Sequence, residues 1–230
     1  MSQNLFQVSD MSDDAPRPLA DKLRPQTLAE VAGQDHLVGE EGQLTRMLES
    51  GTLSSLIFWG TPGCGKTTMA RILADHTDYH FEQLSAIFSG VGDLKKVFET
   101  AKMRRQQGQG TLLFVDEIHR FNKSQQDAFL PVMEDGTIIL VGATTENPSF
   151  ELNAALLSRC QVMVLKRLDD EALEKLLQRV EAHEGHKIPV TDEARQTLKT
   201  LADGDGRYLL TMTEQILGCL LYTSPSPRDS

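Results

Sequence analysis

No stretch of this 230-residue sequence approaches the roughly 20 consecutive apolar residues that a helix needs to cross a bilayer. Residues 1–20 also lack the basic start and apolar stretch of a secretory signal. Both absences lead to the expectation of a cytosolic protein. Cysteine is scarce: Cys64, Cys160 and Cys219 are odd in number and widely spaced, with no Cys-x-x-Cys pair. That pattern gives no support for a disulfide framework or a zinc site, so reduced thiols are expected. Positive charge is in short supply too, with 23 Lys and Arg against 33 Asp and Glu and a formal net charge of -10. Binding of nucleic acid by bulk attraction depends on Lys and Arg neutralising phosphates, so any DNA contact here must be local. The candidates are Lys95 and Lys96, then Lys102, Arg104 and Arg105, then Arg120 and Lys123. Each of these runs also reads as a solvated helix face.

What is present fits an ordinary globular chain, since 40% of residues are hydrophobic and 24% charged, far from the balance of disordered or collagen-like sequences. Residues 1–18 read as a flexible polar leader. In the stretch 19–51, Arg24-Pro25 breaks any helix, and Gly42 to Glu49 reads as a short helix ending at Ser50-Gly51. Short apolar runs then follow at Leu56–Trp59, Phe81–Leu84, Leu112–Val115, Ile138–Val141 and Val162–Leu165. Helical stretches such as Lys66–His76 and Asp93–Arg105 separate them. Continuous apolar runs alternating with helices imply parallel strands buried on both faces, and hence an α/β sandwich. Right-handed crossovers then bring the C-terminal ends of all the strands, and the loops that follow them, to one edge.

Beyond about Lys166 the strand signals stop. In Asp169–His183 the residues Leu173, Leu176, Leu177 and Val180 fall at helical spacing, with Asp169 available as N-cap. Ala194, Leu198 and Leu201 repeat the pattern behind Thr191. The expected division is an α/β domain over 19–167 and a small, partial helical lid domain over 168–220. Leu221 to Ser230 break abruptly into a Pro/Ser-rich string, which reads as a foreign or misread terminus in preference to a natural tail.

Chemistry gathers at the ends of the apolar runs. Gly60-Thr61-Pro62-Gly63-Cys64-Gly65-Lys66-Thr67 matches G-x-x-x-x-G-K-[ST] between a strand and a helix, the setting in which backbone N–H groups and a helix N-terminus cradle phosphates. Residues Gly60 to Thr68 are therefore expected to bind ATP. Lys66 is expected to reach the β- and γ-phosphates, and the Thr67 hydroxyl to ligate Mg²⁺. Leu112 to Val115 run into Asp116-Glu117, which predicts a Mg²⁺-holding carboxylate at Asp116 and a general base at Glu117. Ile138 to Ala143 run into Thr144-Thr145, and Thr145 is preferred over Thr144 as the group that positions the attacking water. Arg159, in Ser158-Arg159-Cys160, is a candidate arginine finger acting on a neighbouring subunit. Arg207, in Gly204-Asp205-Gly206-Arg207, opens the last helix and could lean onto the nucleotide.

The order of these motifs resembles the AAA+ clamp-loader clade. Two longer strings, Phe114 to Asp127 and Gly142 to Asn153, resemble the replication-associated recombination protein A family, called RarA or MgsA in bacteria and related to the eukaryotic Werner-helicase-interacting ATPases. The resemblance runs from about Leu19 to Leu217. It implies a P-loop NTPase fold and a DNA-dependent ATPase at stalled or damaged replication forks, nucleoid-associated, binding DNA ends and gaps. It also implies an interaction with single-strand-binding protein, and a further C-terminal domain that assembles homo-oligomers, expected as tetramers. By the same resemblance Gly33-Gln34, the Leu37 region and Arg24-Pro25 would line an adenine pocket, with Ala70 packed beneath. Gly206-Arg207-Tyr208 departs from the family's more usual Ala-Arg-Arg. Two other readings stay open: a clamp-loader subunit or branch-migration motor, and an ATP-binding scaffold without turnover. The cysteine-rich zinc module usual in bacterial clamp-loader motor subunits is absent, and Glu117 weighs against an inert scaffold.

Overall fold

The computed structural model describes residues 17–221. Almost all of the expected leader and tail lie outside them. In chain order the first elements are α1 (Leu19–Lys22), α2 (Asp35–Val38), α3 (Gln43–Glu49), β1 (Leu56–Trp59), α4 (Lys66–His76), β2 (His80–Ser85), α5 (Val91–Gln106) and β3 (Thr111–Asp116). There follow α6 (Lys123–Asp127), α7 (Phe129–Glu134), β4 (Ile139–Thr144), α8 (Pro148–Glu151), α9 (Ala154–Leu157), β5 (Gln161–Val164), α10 (Asp170–Glu184), α11 (Asp192–Ala202) and α12 (Gly206–Leu221).

The strands form one parallel five-stranded sheet in the order β2-β3-β4-β1-β5. Successive side chains on a strand point to opposite faces. Leu56, Phe58, Leu112, Phe114, Val141 and Ala143 accordingly join one buried cluster, with Met69, Ile72 and Leu73 of α4. Ile57, Leu113, Val115 and Leu140 join the other, with Leu94 of α5 and Phe129 of α7. Each central strand must be apolar at both parities, which is why it reads as an unbroken run. The two edge strands depart from that expectation. In β5 only Met163 is buried, while Val162 and Val164 are exposed, and in β2 only Leu84 is buried. An edge strand is flanked on one side only, so the layers of helices cover it incompletely.

The helical unit behaves as its local signals predict. The Asp169 side chain accepts from the Ala172 N–H to cap α10, and the Thr191 hydroxyl accepts from the Ala194 N–H to cap α11. Each removes one orphan donor of a first helical turn. One packing relation crosses the expected boundary. Leu19 and Leu23, assigned to the α/β domain by an origin at residue 19, pack instead with Leu173, Leu177, Leu209 and Leu210 in the helical cluster. The Leu19 N–H donates to Glu214 on α12 across 3.0 Å. The apolar surface that α1 needs is the one left open between α10 and α12, far away in sequence.

Candidate functional site

Three strands deliver the expected residues to one edge. β1 ends at Trp59 and runs into Gly60–Thr67; β3 ends at Asp116, and β4 at Thr144. Because the sheet is parallel and β4 lies between β1 and β3, these loops gather at adjacent carboxyl ends, the crevice where open α/β sheets take ligands. Two of the loop glycines have left-handed backbone, Gly63 at φ +67° and Gly65 at φ +105°. A side chain at either position would be strained, and both conformations help turn the loop into the N-terminus of α4.

Gly63, Gly65, Lys66, Thr67, Thr68, Asp116 and Glu117 line a cleft of about 490 Å³, together with Pro62, Cys64 and Arg207. Lys66 is nearly buried, and its Nζ donates to the carbonyls of Gly60 and Thr61 at 2.8 and 2.9 Å. Cys64 is buried, and burial raises its thiol pKa. The far wall of the cleft is formed by the helical unit and the N-terminal segment, through Leu176, Leu210, Pro18, Leu23 and Arg24. One hydrogen bond ties that wall to the loop around Lys66, from the Gly206 N–H to the Gly63 carbonyl at 3.3 Å, and Asp205 stands so close that a Cβ on Gly63 would lie 1.8 Å from its Oδ1.

Glu117 has left-handed backbone, at φ +52°, uncommon for a residue with a side chain. Its Oε2 accepts from the Thr145 hydroxyl at 3.3 Å and lies 3.4 Å from His119 Nδ1. That His119 nitrogen is also 2.9 Å from Thr144 Oγ1. Of the two threonines, Thr145 reaches the carboxylate directly. Thr144 reaches it through His119, whose part in this network sequence reading missed. The only available signal was its position two residues after Glu117, which no periodicity marks.

Two expected residues are elsewhere. Gln34 is fully buried, and its amide donates to the Lys166 carbonyl at 2.7 Å and accepts from the Lys166 N–H at 2.9 Å. The same amide also donates to the Cys64 carbonyl at 3.4 Å, so Gln34 joins the loop around Lys66 to the backbone at the junction of the two units, while its chain neighbours Val31 and Ala32 line the cleft. Arg159 stands before β5, at the sheet's opposite edge, beside residues that precede or open β1 and β4, such as Ser55 and Ile139. Its Nε and Nη2 donate to Glu134 Oε1 at 2.8 and 2.5 Å. It takes no part in this chain's own cleft.

Residues 56–168 match the family described as ATPase family associated with various cellular activities (AAA). Over 212 residues the chain is 47% identical to Replication-associated recombination protein A of Escherichia coli (strain K12), covering 90% of this chain and 47% of that protein. The chain belongs to the replication-associated recombination protein A family of AAA ATPases. It spans about half the length of the curated relatives of that name that it matches. ATPase WRNIP1 of Dictyostelium discoideum is 43% identical over 204 residues, 87% of this chain and 23% of that one. Among solved structures, the Thermotoga maritima RuvB Holliday junction branch migration motor superposes with a TM-score of 0.72 at 26% identity, over 87% of this chain and 67% of that one. The family and this likeness agree with the α/β P-loop architecture seen here. No helix among the described residues is long and apolar enough to cross a membrane.

Proposed function

We propose that this chain is the ATP-hydrolysing part of a DNA-dependent ATPase that acts in replication-fork maintenance and recombination-linked repair, completing its sites between subunits. The observation that carries the reading is the convergence of Lys66, Thr67, Asp116 and Glu117 on one cleft, with Thr145 holding the Glu117 carboxylate. The cleft's volume and its position at the glycine-rich loop that opens α4 suit a nucleoside triphosphate. Its donor set also suits Mg²⁺, a hard ion that takes one or two protein oxygens beside substrate phosphates, here the Thr67 hydroxyl and an Asp116 carboxylate. Bound Mg²⁺ would supply charge neutralisation between the phosphates.

The chain's own groups account for the rest. Lys66 exchanges its two carbonyl partners for phosphate oxygens, gaining charge-assisted hydrogen bonds. Glu117 accepts the proton of the attacking water, and Thr145 fixes the carboxylate that does so. Arg207 reaches the nucleotide from the helical wall, so phosphate release is felt by α12. Arg159, on the far edge, serves the site of the next copy. Names of relatives support the process: one is called replication-associated recombination protein and another a Holliday junction motor. A tetrameric parent and an interaction with single-strand-binding protein belong to the same reading.

The test is ATP turnover by the whole chain with and without DNA, beside Lys66→Ala. Turnover stimulated by DNA and lost in the variant is expected, together with loss of ATP binding by calorimetry. ATP binding without turnover under any DNA would favour the scaffold reading. Undiminished ATP affinity in Lys66→Ala would overturn the site itself.

A further inference from the structure

Ionic partners separate the basic residues into two groups. Arg104 is held by Glu82 at 2.8 Å and Arg105 by Asp135 at 3.6 Å. Lys95, Lys96, Arg120 and Lys123 are exposed and take part in no ion pair among the described residues. These four lie beyond the carboxyl ends of β2 and β3, neighbouring strands, so they share one edge of the molecule. Two phenylalanines leave the same edge: Phe88, 87% exposed in the turn after β2, and Phe150, 85% exposed in the short helix after β4. Ile87 and Val91, beside Phe88, are exposed as well.

An aromatic ring left in water on a loop costs solvation that burial elsewhere would recover, and two of them flank a set of unpaired cations. Single-stranded nucleic acid is recognised by that combination, with bases stacking on rings while Lys and Arg follow the phosphates. We propose that the loops after β2, β3 and β4 form a surface for single-stranded DNA, with Phe88 and Phe150 as stacking platforms and Lys95, Lys96, Arg120 and Lys123 as phosphate contacts. The proposal rests on the DNA-dependent reading above and names the surface through which it works. The net acidic chain then binds DNA by a confined patch, and the unpaired bases give the rings a partner that duplex DNA withholds.

The same loop touches the ATP site. The Ala86 N–H donates to the backbone carbonyl of Asp116 at 3.0 Å, and Ser85 pairs in register with Asp116. Only Ile87 stands between that bond and Phe88. A strand that orders the loop therefore bears directly on the backbone holding Asp116 and Glu117.

The experiment uses the whole chain with 5′-labelled oligo-dT and a duplex of equal length, read by fluorescence anisotropy over a salt series, with ATP turnover measured in parallel. Phe88→Ala is expected to weaken oligo-dT binding by about 5- to 150-fold, the range given by one lost base stack. Its salt slope and DNA-free turnover should stay unchanged, and its stimulation by oligo-dT should fall. Phe150→Ala should act in the same direction. Lys95→Ala with Lys96→Ala should reduce the salt slope by about 1.4, since each single-strand phosphate contact contributes about 0.7. Unchanged oligo-dT affinity in both Phe variants would overturn the surface. So would a loss of self-association by Phe88→Ala in sedimentation without loss of DNA affinity, which would make the patch a contact between copies. If oligo-dT binds through Phe88 but never stimulates turnover, the surface stands and the DNA-dependent reading of the ATPase fails; if no DNA binds, both fail.

Discussion

The Thr145 hydroxyl and the Glu117 carboxylate meet at 3.3 Å across the ends of two neighbouring strands. A carboxylate fixed in this way keeps its second oxygen for water. Glu117→Gln should retain Mg-ATP affinity while losing turnover by about 10²- to 10⁴-fold, the usual contribution of a general base. Thr145→Val should cost less, lowering kcat with the ATP Kd unchanged. Single-turnover hydrolysis beside calorimetry separates these outcomes, and normal hydrolysis by Glu117→Gln would show the base to be elsewhere.

Arg159 lies at the edge away from its own cleft and is paired with Glu134. An arginine finger is worth about 10³- to 10⁵-fold in rate, so Arg159→Ala should be nearly inactive and turnover per wild-type molecule should rise with protein concentration. Lys66→Ala should be inactive for the opposite reason. Mixing the two inactive variants should restore part of the activity, because some contacts then join an intact cleft to an intact Arg159. Failure of mixing, with concentration-independent turnover, would assign the finger to another residue.

Acid should weaken the helical unit first. Hydrogen bonds from Arg195 hold the Glu174 and Glu181 carboxyls below the usual carboxylate range, and those acids in turn raise the Arg195 pKa. For the two depressed carboxyls, the contribution is fully present above their unfolded value of about 4.3 and is lost as pH falls through the lower folded value. The raised Arg195 pKa matters only in strong alkali. Thermal melts between pH 7 and pH 2 should therefore show an acid limb that Arg195→Gln flattens; an identical limb in the variant would exclude this network as its source.

Gly63→Ala tests the joint between the two units. The new Cβ would strain a left-handed backbone, at about 1–3 kcal/mol, and would collide with Asp205, whose Oδ1 accepts from the Tyr208 N–H at the start of α12. Lower Tm and weaker ATP binding are expected. Adding Asp205→Ala should return part of the affinity by removing the collision, while the strain remains. No recovery in the double variant would place the whole effect in the backbone.

What could be read from sequence was whatever is decided within a few residues. Central strands announce themselves as apolar runs because both faces are covered, and Asp169 and Thr191 mark helix starts because the N–H each receives is three residues away. The loop around Lys66 was legible for the same reason: its glycines, its lysine and its following helix are contiguous. Contacts set by distant partners were not. Nothing near Leu19 says that its partner is α12, nothing near Gln34 says that its amide clasps Lys166, and the exposure of Val162 follows from β5 standing at an edge that only the strand order reveals.

The separation of Arg159 from the cleft it is proposed to serve dictates how copies can be counted. A contact that joins the far edge of one copy to the near edge of the next is heterologous, with two different surfaces meeting, and it either closes into a ring or runs on as an open row. An open row always ends with one cleft that no finger enters and one finger that no cleft receives, so it holds one fewer complete site than it has members. Closure gains that last site at no added length. Whatever fastens copies into a ring therefore raises activity per copy most for the smallest assemblies, where a single unfinished site is the largest share of the whole.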